Sequence, residues 1–349
     1  MPSGWPSDSP KCSAPSRSSS RSSARCSQLT QVQGRWWPEV FPVRRWRAHM
    51  ADVAVVTDST CALPRALVES LDITVVSLYY DITGAASPTG GHELPGRGER
   101  ESDFDGDWAR FFAELDASKT VATTGPPKIE DFVEAYERLL QQHSAVVAVM
   151  LGSNLSPTCE FAREAAARVD RERIVVFDSA GVAGHLGCQA LAAARAAAGG
   201  ADLQGVTEQA RRARQEIRQW VLVDTLEYLR RGGRVGTAAA WIGSALDLKP
   251  ILMIESEMKA VERVRTFKRG VERLIELMRQ RRAVGADRWF VQHAYAHEDA
   301  QRLAERLTGL FGTQPEFISE VGPVLATHTG PGMVTVGGLP GAALEGAYG

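Results

Sequence analysis

The chain has 349 residues, 44% hydrophobic and 23% charged, an ordinary globular balance with room for about two domains. Forty Lys and Arg face 42 Asp and Glu, and a net charge of −2 excludes a globally basic nucleic-acid binder. No apolar run approaches the roughly 18 residues of a membrane-spanning helix, and the five cysteines show no paired spacing, so free thiols in a reducing, cytoplasmic setting are expected, without integral membrane association.

Residues 1–49 stand apart. They hold eleven Ser, seven Arg and four of the eight Trp, with a net charge of +6 that leaves −8 on the remainder. The stretch 16–27 is Ser/Arg low complexity, expected to be disordered, and the segment lacks the apolar core of a secretory signal. A transit peptide or an RNA-binding arm is one reading. The favoured expectation is untranslated upstream sequence with Met50 as the start, because a strand begins three residues later.

From there, β-branched runs at 53–56 and 73–80 predict two strands. Residues 83–107 are rich in Gly, Pro and charge and read as a surface loop. Helices are predicted at 107–116 and 129–142, the latter with Ile129, Phe132, Val133, Tyr136 and Leu140 on one face. A strand at 146–151, a helix at 156–169, a strand at 174–177 and helices at 184–198 and 203–218 follow. Apolar strands alternating with helices imply an α/β domain, residues 50–219, whose parallel sheet is covered by helices. After 220 the order changes. Strands at 221–223, 251–255 and 260–266, a short helix near 237–245, helices at 268–282 and 298–311, and strands at 289–292, 317–321 and 333–336 predict an α+β domain with a mixed sheet, residues 220–349.

Four polar clusters fall where strands or turns end: Thr57-Asp58-Ser59, Thr123-Thr124-Gly125, Ser153-Asn154-Leu155-Ser156 and Asp178-Ser179. In open parallel sheets ligands bind beyond the carboxyl ends of the strands. Helix capping is the bland reading of each cluster alone; four on one rim are less easily all caps. Gly232-Gly233-Arg234 and His328-Thr329-Gly330-Pro331-Gly332 add flexible backbone, a permanent cation and an imidazole.

In this order the clusters resemble the DegV family of lipid-binding proteins. The resemblance covers residues 53 to about 337. It rests on Thr57-Asp58-Ser59; on Thr123-Thr124-Gly125-Pro126, where the family shows TSQPS; on Gly152-Ser153-Asn154-Leu155-Ser156-Pro157-Thr158, where it shows SSxLSGT; on Asp178-Ser179; on Leu226 through Arg234, close to LxYLxKGGR; on Lys249-Pro250-Ile251 with Arg263-Val264-Arg265-Thr266; and on HTGPG at 328–332. It implies a two-domain fold holding a long-chain fatty acid between the domains, with no cofactor and no catalytic residue. It also implies that the protein is the acyl-binding subunit of a fatty acid kinase. A separate kinase subunit, resembling dihydroxyacetone kinase, would phosphorylate the bound acid, with membrane contact at most transient. Carried over by position, the carboxylate ligands would be Thr123, Ser153 and His328, with Thr124 as the alternative to Thr123 and Arg234 nearby. Thr57, Asp58, Ser59, Asp178, Ser179, Gly232, Gly233, Thr329 and Gly330 would support the cleft. Gly125 replaces the usual Gln, Pro127 the usual Ser and Pro157 the usual Gly, so the mouth is expected to be shaped differently.

The chemistry fits independently. Burying roughly 15 methylenes at about 0.8 kcal/mol each is worth roughly 12 kcal/mol before ordering costs. The carboxylate must then be hydrogen-bonded, because an unpaired charge in an apolar cleft is expensive. Three rival readings are a Ser153/His328 hydrolase, which lacks a G-x-S-x-G elbow, a dinucleotide or phosphate binder, which lacks glycine in Thr57-Asp58-Ser59-Thr60 and any G-x-x-x-x-G-K, and a lipid or small-molecule sensing module without a kinase partner.

Overall fold

A computed structural model of the chain describes residues 52–81, 101–106, 108–117, 122–241, 248–255 and 257–345. The Ser/Arg-rich leader and most of the loop expected at 83–107 lie outside the described residues. The strands run β1 Val53–Asp58, β2 Ile73–Val76, β3 Tyr79–Asp81, β4 Glu101–Ser102, β5 Thr123–Gly125, β6 Ala145–Met150, β7 Ile174–Asp178, β8 Arg218–Leu222, β9 Lys249–Ile254, β10 Met258–Val264, β11 Arg288–His293, β12 Phe317–Glu320 and β13 Val334–Leu339. The helices are α1 Arg65–Ser70, α2 Trp108–Ala117, α3 Ile129–Leu140, α4 Thr158–Val169, α5 Gly184–Ala198, α6 Leu203–Glu216, α7 Glu227–Arg231, α8 Phe267–Ala283, α9 His297–Phe311, α10 Pro323–Thr329 and α11 Gly341–Glu345.

The first sheet is parallel, ordered β2-β1-β6-β7. Every residue of β1 and β6 is buried. Alternation explains why both faces must be apolar. Val53, Val55, Val147 and Val149 enter one core, while Ala54, Val56, Val146 and Ala148 enter the other beneath α3 and α4. The second sheet is mixed, ordered β10-β9-β8-β13-β11-β12, with only the β11–β12 pair parallel.

Helix α5 lies between the two sheets, touching β1 and β6 on one side and β8, β11 and β13 on the other. Its Ala-rich sequence makes this fit. Small side chains let the helix approach both sheets, and a Cβ on Gly184 would fall 2.0 Å from the Phe290 ring. The largest core joins Val53 and Val147 of the first sheet to Leu252 and Phe290 of the second. The C-terminal α11 returns to α6, where the Gln209 Nε2 donates to the Ala343 carbonyl at 2.7 Å.

The apolar run at 73–80 is two strands rather than one. At Ser77-Leu78 the chain leaves the parallel sheet, because the Leu78 N–H is taken by the Ser59 hydroxyl and its carbonyl by the Asp103 N–H. β3 then joins a small antiparallel sheet, β4-β3-β5. Helices α1 and α10 and the three-residue β5 carry too little periodicity to be read from sequence. Among the described residues no helix is long and apolar enough to cross a membrane.

Candidate ligand-binding site

A cavity of about 480 Å³ lies between the parallel sheet's carboxyl ends and the inner face of the mixed sheet, within the size range of small-molecule sites. Its wall is mostly apolar. Leu78, Leu151, Leu155, Phe161 and Val182 come from the first half, and Val221, Val223, Leu252, Ile254, Met258, Val324 and Met333 from the second. Thr124, Ser156, Arg234, His328 and Thr329 supply most of its polar groups, with Thr60, Gln219 and Thr335.

The mouth is built by three elements. β5 presents Thr124, α10 ends on His328 and Thr329, and the turn after α7 delivers Arg234. Thr124 Oγ1 lies 2.9 Å from His328 Nε2. Burial and then the nearby Arg234 charge push the His328 imidazole down to about 4, so it is neutral at pH 7. A neutral imidazole donates one hydrogen bond and accepts one; His328 Nδ1 has no partner among the described residues. Gly232 packs against that nitrogen so closely that a Cβ would sit 2.1 Å from it. Arg234 is partly buried. Its Nε donates to the Leu155 carbonyl at 3.2 Å and Nη1 donates to the Gly232 carbonyl. Gly330 takes φ +75° with Tyr228 where a Cβ would be, a position only glycine fits.

The structure thus brings Thr124, Arg234, His328 and Thr329 together at the cavity wall. Thr123, adjacent on β5, points to the other face of its strand and is not in the lining. The Ser153 side chain is exposed, and its backbone N–H donates to Asp178 Oδ1 at 3.3 Å. Thr57, Asp58, Ser59, Asp178 and Ser179 are not in the cavity lining, and neither are Gly232, which packs against His328, and Gly233, which is exposed. Asp58 is fully buried. Its Oδ1 accepts from the Thr60 N–H at 3.0 Å and its Oδ2 from the Leu151 N–H at 2.7 Å, tying the ends of β1 and β6. Burial pushes its carboxyl up to about 6 against those bonds. The Ser179 hydroxyl donates to the Gly181 carbonyl at 3.0 Å, and Asp178 Oδ1 accepts from Ala180 N–H at 2.8 Å, so this pair shapes the loop into α5.

Two site features were not singled out by residue type. Ser156 lines the wall and shares a hydrogen bond with Thr158 Oγ1 at 2.8 Å; it sits in the same motif as Ser153. Buried Asp103 accepts the Val324 N–H at 2.8 Å in the first turn of α10, fixing the helix that carries His328. Gly322 leaves room for it, since a Cβ there would meet Asp103 Oδ1 at 2.5 Å. Asp103 carried no signal in a loop of mixed charge.

Comparison with known proteins gives this geometry a context. The family model described as an uncharacterised protein of the DegV family matches residues 52–340. The DegV domain-containing protein SCO2569 of Streptomyces coelicolor is 36% identical over 288 residues, spanning 81% of this chain and 97% of the relative. Protein DegV of Bacillus subtilis is 31% identical over 288 residues, spanning 82% and 98%. Among solved structures, DegV of Bacillus subtilis, a fatty acid binding protein, superposes with a TM-score of 0.72 at 29% identity, covering 82% of this chain and 99% of that one. A DegV family protein from Thermus thermophilus, described for its fatty acid binding, gives 0.72 at 28% identity with the same coverage. The match runs from the first residue of β1 past the last residue of β13 and includes every element that walls the cavity: the chain belongs to the DegV family.

Proposed function

We propose that this protein binds a long-chain fatty acid in the cavity and presents its carboxylate to a separate kinase subunit, resembling dihydroxyacetone kinase, for conversion to acyl phosphate. The observation that carries the reading is a mostly apolar cavity with a hydroxyl–imidazole pair and a guanidinium in one wall. The tail lies among Leu151, Phe161, Val221, Leu252 and Met258. The hydrogen-bonded Thr124–His328 pair donates to the carboxylate through the one proton it does not use internally, and Arg234 supplies a permanent positive field. Ser153, on the loop that leads to Leu155 and Ser156, meets the headgroup from the rim, and Thr123 shapes β5 from behind. The relatives' fatty acid binding supports this assignment. The protein itself performs no bond-making step, needs no cofactor and acts in the cytoplasm with the kinase.

The site chemistry suits that division of labour. Neutral His328 cannot neutralise the acid by charge, so the carboxylate remains a nucleophile held by hydrogen bonds. Arg234 would stabilise the negative charge that grows at the mouth during phosphoryl transfer. The deciding experiment is mass spectrometry of organic extracts from protein purified from a bacterial host, with melting curves in added oleate. About one fatty acid per chain and a raised melting temperature are expected. No extracted acid and no response to oleate would overturn the reading.

A further inference from the structure

The cavity has a second polar feature, far from the carboxylate pair. Gln219 and Val221 of β8, and Val223 just after it, face the same side because side chains alternate along a strand, and all three line the cavity. Val223 marks the mouth, since the next residue, Asp224, lies against Gly332 of the HTGPG turn. Gln219 is four residues back, about 13 Å away at roughly 3.3 Å per residue. With carbon–carbon bonds of about 1.5 Å, a zigzag acyl chain covers that span in roughly ten bonds. Gln219 therefore meets the distal half of a long acyl chain.

The Gln219 side chain is fully buried. Its Oε1 accepts the His185 N–H at 2.5 Å, in the first turn of α5. That bond fixes the amide, because only the oxygen can accept from an N–H. Nε2 is then the free end, and it has no partner among the described residues. On the same face, diagonal to it across the β8–β13 ladder, is Thr335, which pairs in register with Val221 while Gln219 pairs with Gly337. The Thr335 hydroxyl donates to the Trp220 carbonyl at 2.9 Å, which leaves its lone pairs able to accept. A buried donor and a buried acceptor on one face of the same cavity wall suit a hydroxyl group between them, which is both. A wall meant only for methylenes gains nothing from either and carries the cost of the unpaired amide.

We propose that the cavity takes fatty acids bearing a hydroxyl in the distal half of the chain, the hydroxyl accepting from Gln219 Nε2 and donating to Thr335 Oγ1. The inference rests on the fatty-acid reading above and deepens it: Gln219 is the residue that sets ligand class.

The test measures affinities of the full chain and its Gln219→Met variant for stearate and for hydroxystearates with the hydroxyl moved stepwise along the chain. The unsubstituted protein should bind one distal position at least as tightly as stearate. Hydroxyls elsewhere, buried without a partner, should weaken binding by about tenfold or more. Gln219→Met should lose the positional preference, shifting the hydroxystearate-to-stearate ratio by roughly three- to tenfold. Both ligands are compared on the same variant, so general destabilisation leaves the ratio unmoved. If Gln219→Met does not fold, the positional scan on the unsubstituted chain decides alone. Rejection of every hydroxyl position beside tight stearate binding would overturn the inference and leave the fatty-acid reading intact, as would an unchanged ratio in Gln219→Met. Failure to bind stearate and every hydroxystearate alike would bring down the fatty-acid reading itself.

Discussion

Replacing Asp103 with Asn should stabilise the protein above pH 6 and leave it unchanged near pH 4. Burial raises the Asp103 carboxyl from an ordinary 3.8 to about 6, outweighing the bonds from the Val324 N–H and the Ser59 hydroxyl, with the buried Asp58 charge adding to the rise. A raised value means that the fold favours the protonated acid. Its contribution is therefore complete below about pH 4 and is lost as pH climbs through 6. Two units at 1.36 kcal/mol each amount to at most about 3 kcal/mol. Asn keeps an oxygen for the Val324 N–H and offers an N–H to Ser59, with no charge to bury. For a chain of this size about 1 kcal/mol moves the melting temperature by about 2 °C. Melting curves at pH 4, 5, 6 and 7 should show the two proteins together at the acid end and separated by roughly 5 °C at pH 7. Asp58, itself raised to about 6, remains in both, and neutralising Asp103 also removes the repulsion between the two carboxylates, which adds to the gain above pH 6. Parallel curves, or an Asn variant that is weaker only at pH 7, would refute the assignment.

Three further outcomes follow from the mouth. Thr124→Val and His328→Ala should each lower affinity for a free fatty acid about ten- to a hundredfold, the worth of one charge-assisted hydrogen bond of roughly 1.5–3 kcal/mol. A fatty alcohol or methyl ester should lose far less, and equal losses would place both residues outside the headgroup site. Gly232→Ala puts a methyl 2.1 Å from His328 Nδ1 and should displace the imidazole, costing about tenfold in acid affinity by the same hydrogen-bond reasoning. Gly309→Ala, with nothing within 4 Å of its new methyl, is the matched control and should bind normally. Arg234→Ala should reduce acyl phosphate formation with a kinase partner more than lipid retention, because the buried tail supplies most of the binding energy; equal reductions would confine Arg234 to ground-state binding.

The layered architecture was legible because it is written in periodicity. β1 and β6 are apolar on both faces, which only a sheet covered twice requires, and the strand expected at 260–266 is β10, two residues earlier at Met258–Val264. Of the residues in the ordered motifs, Thr124, Arg234, His328 and Thr329 meet at one cavity. Local pattern could not separate Thr124 from Thr123, or Ser156 from Ser153. Which neighbour faces the cavity depends on the register of β5 and on the turn into α4, and both are set by partners distant in sequence.

What the sequence by itself determined is the main strands and helices and the chemistry available to them: two principal sheets, the longer helices that cover them, hydroxyls, a guanidinium and an imidazole. Only the tertiary structure decided how these act. It made His328 neutral by enclosing it beside Arg234, assigned Asp103 to hold α10, and left the Gln219 amide half-paired in an apolar wall. The division has a physical reason. Backbone geometry and hydrophobic period are properties of neighbours along the chain, whereas desolvation, hydrogen-bond satisfaction and the side a residue faces depend on what packs against it from elsewhere in the chain.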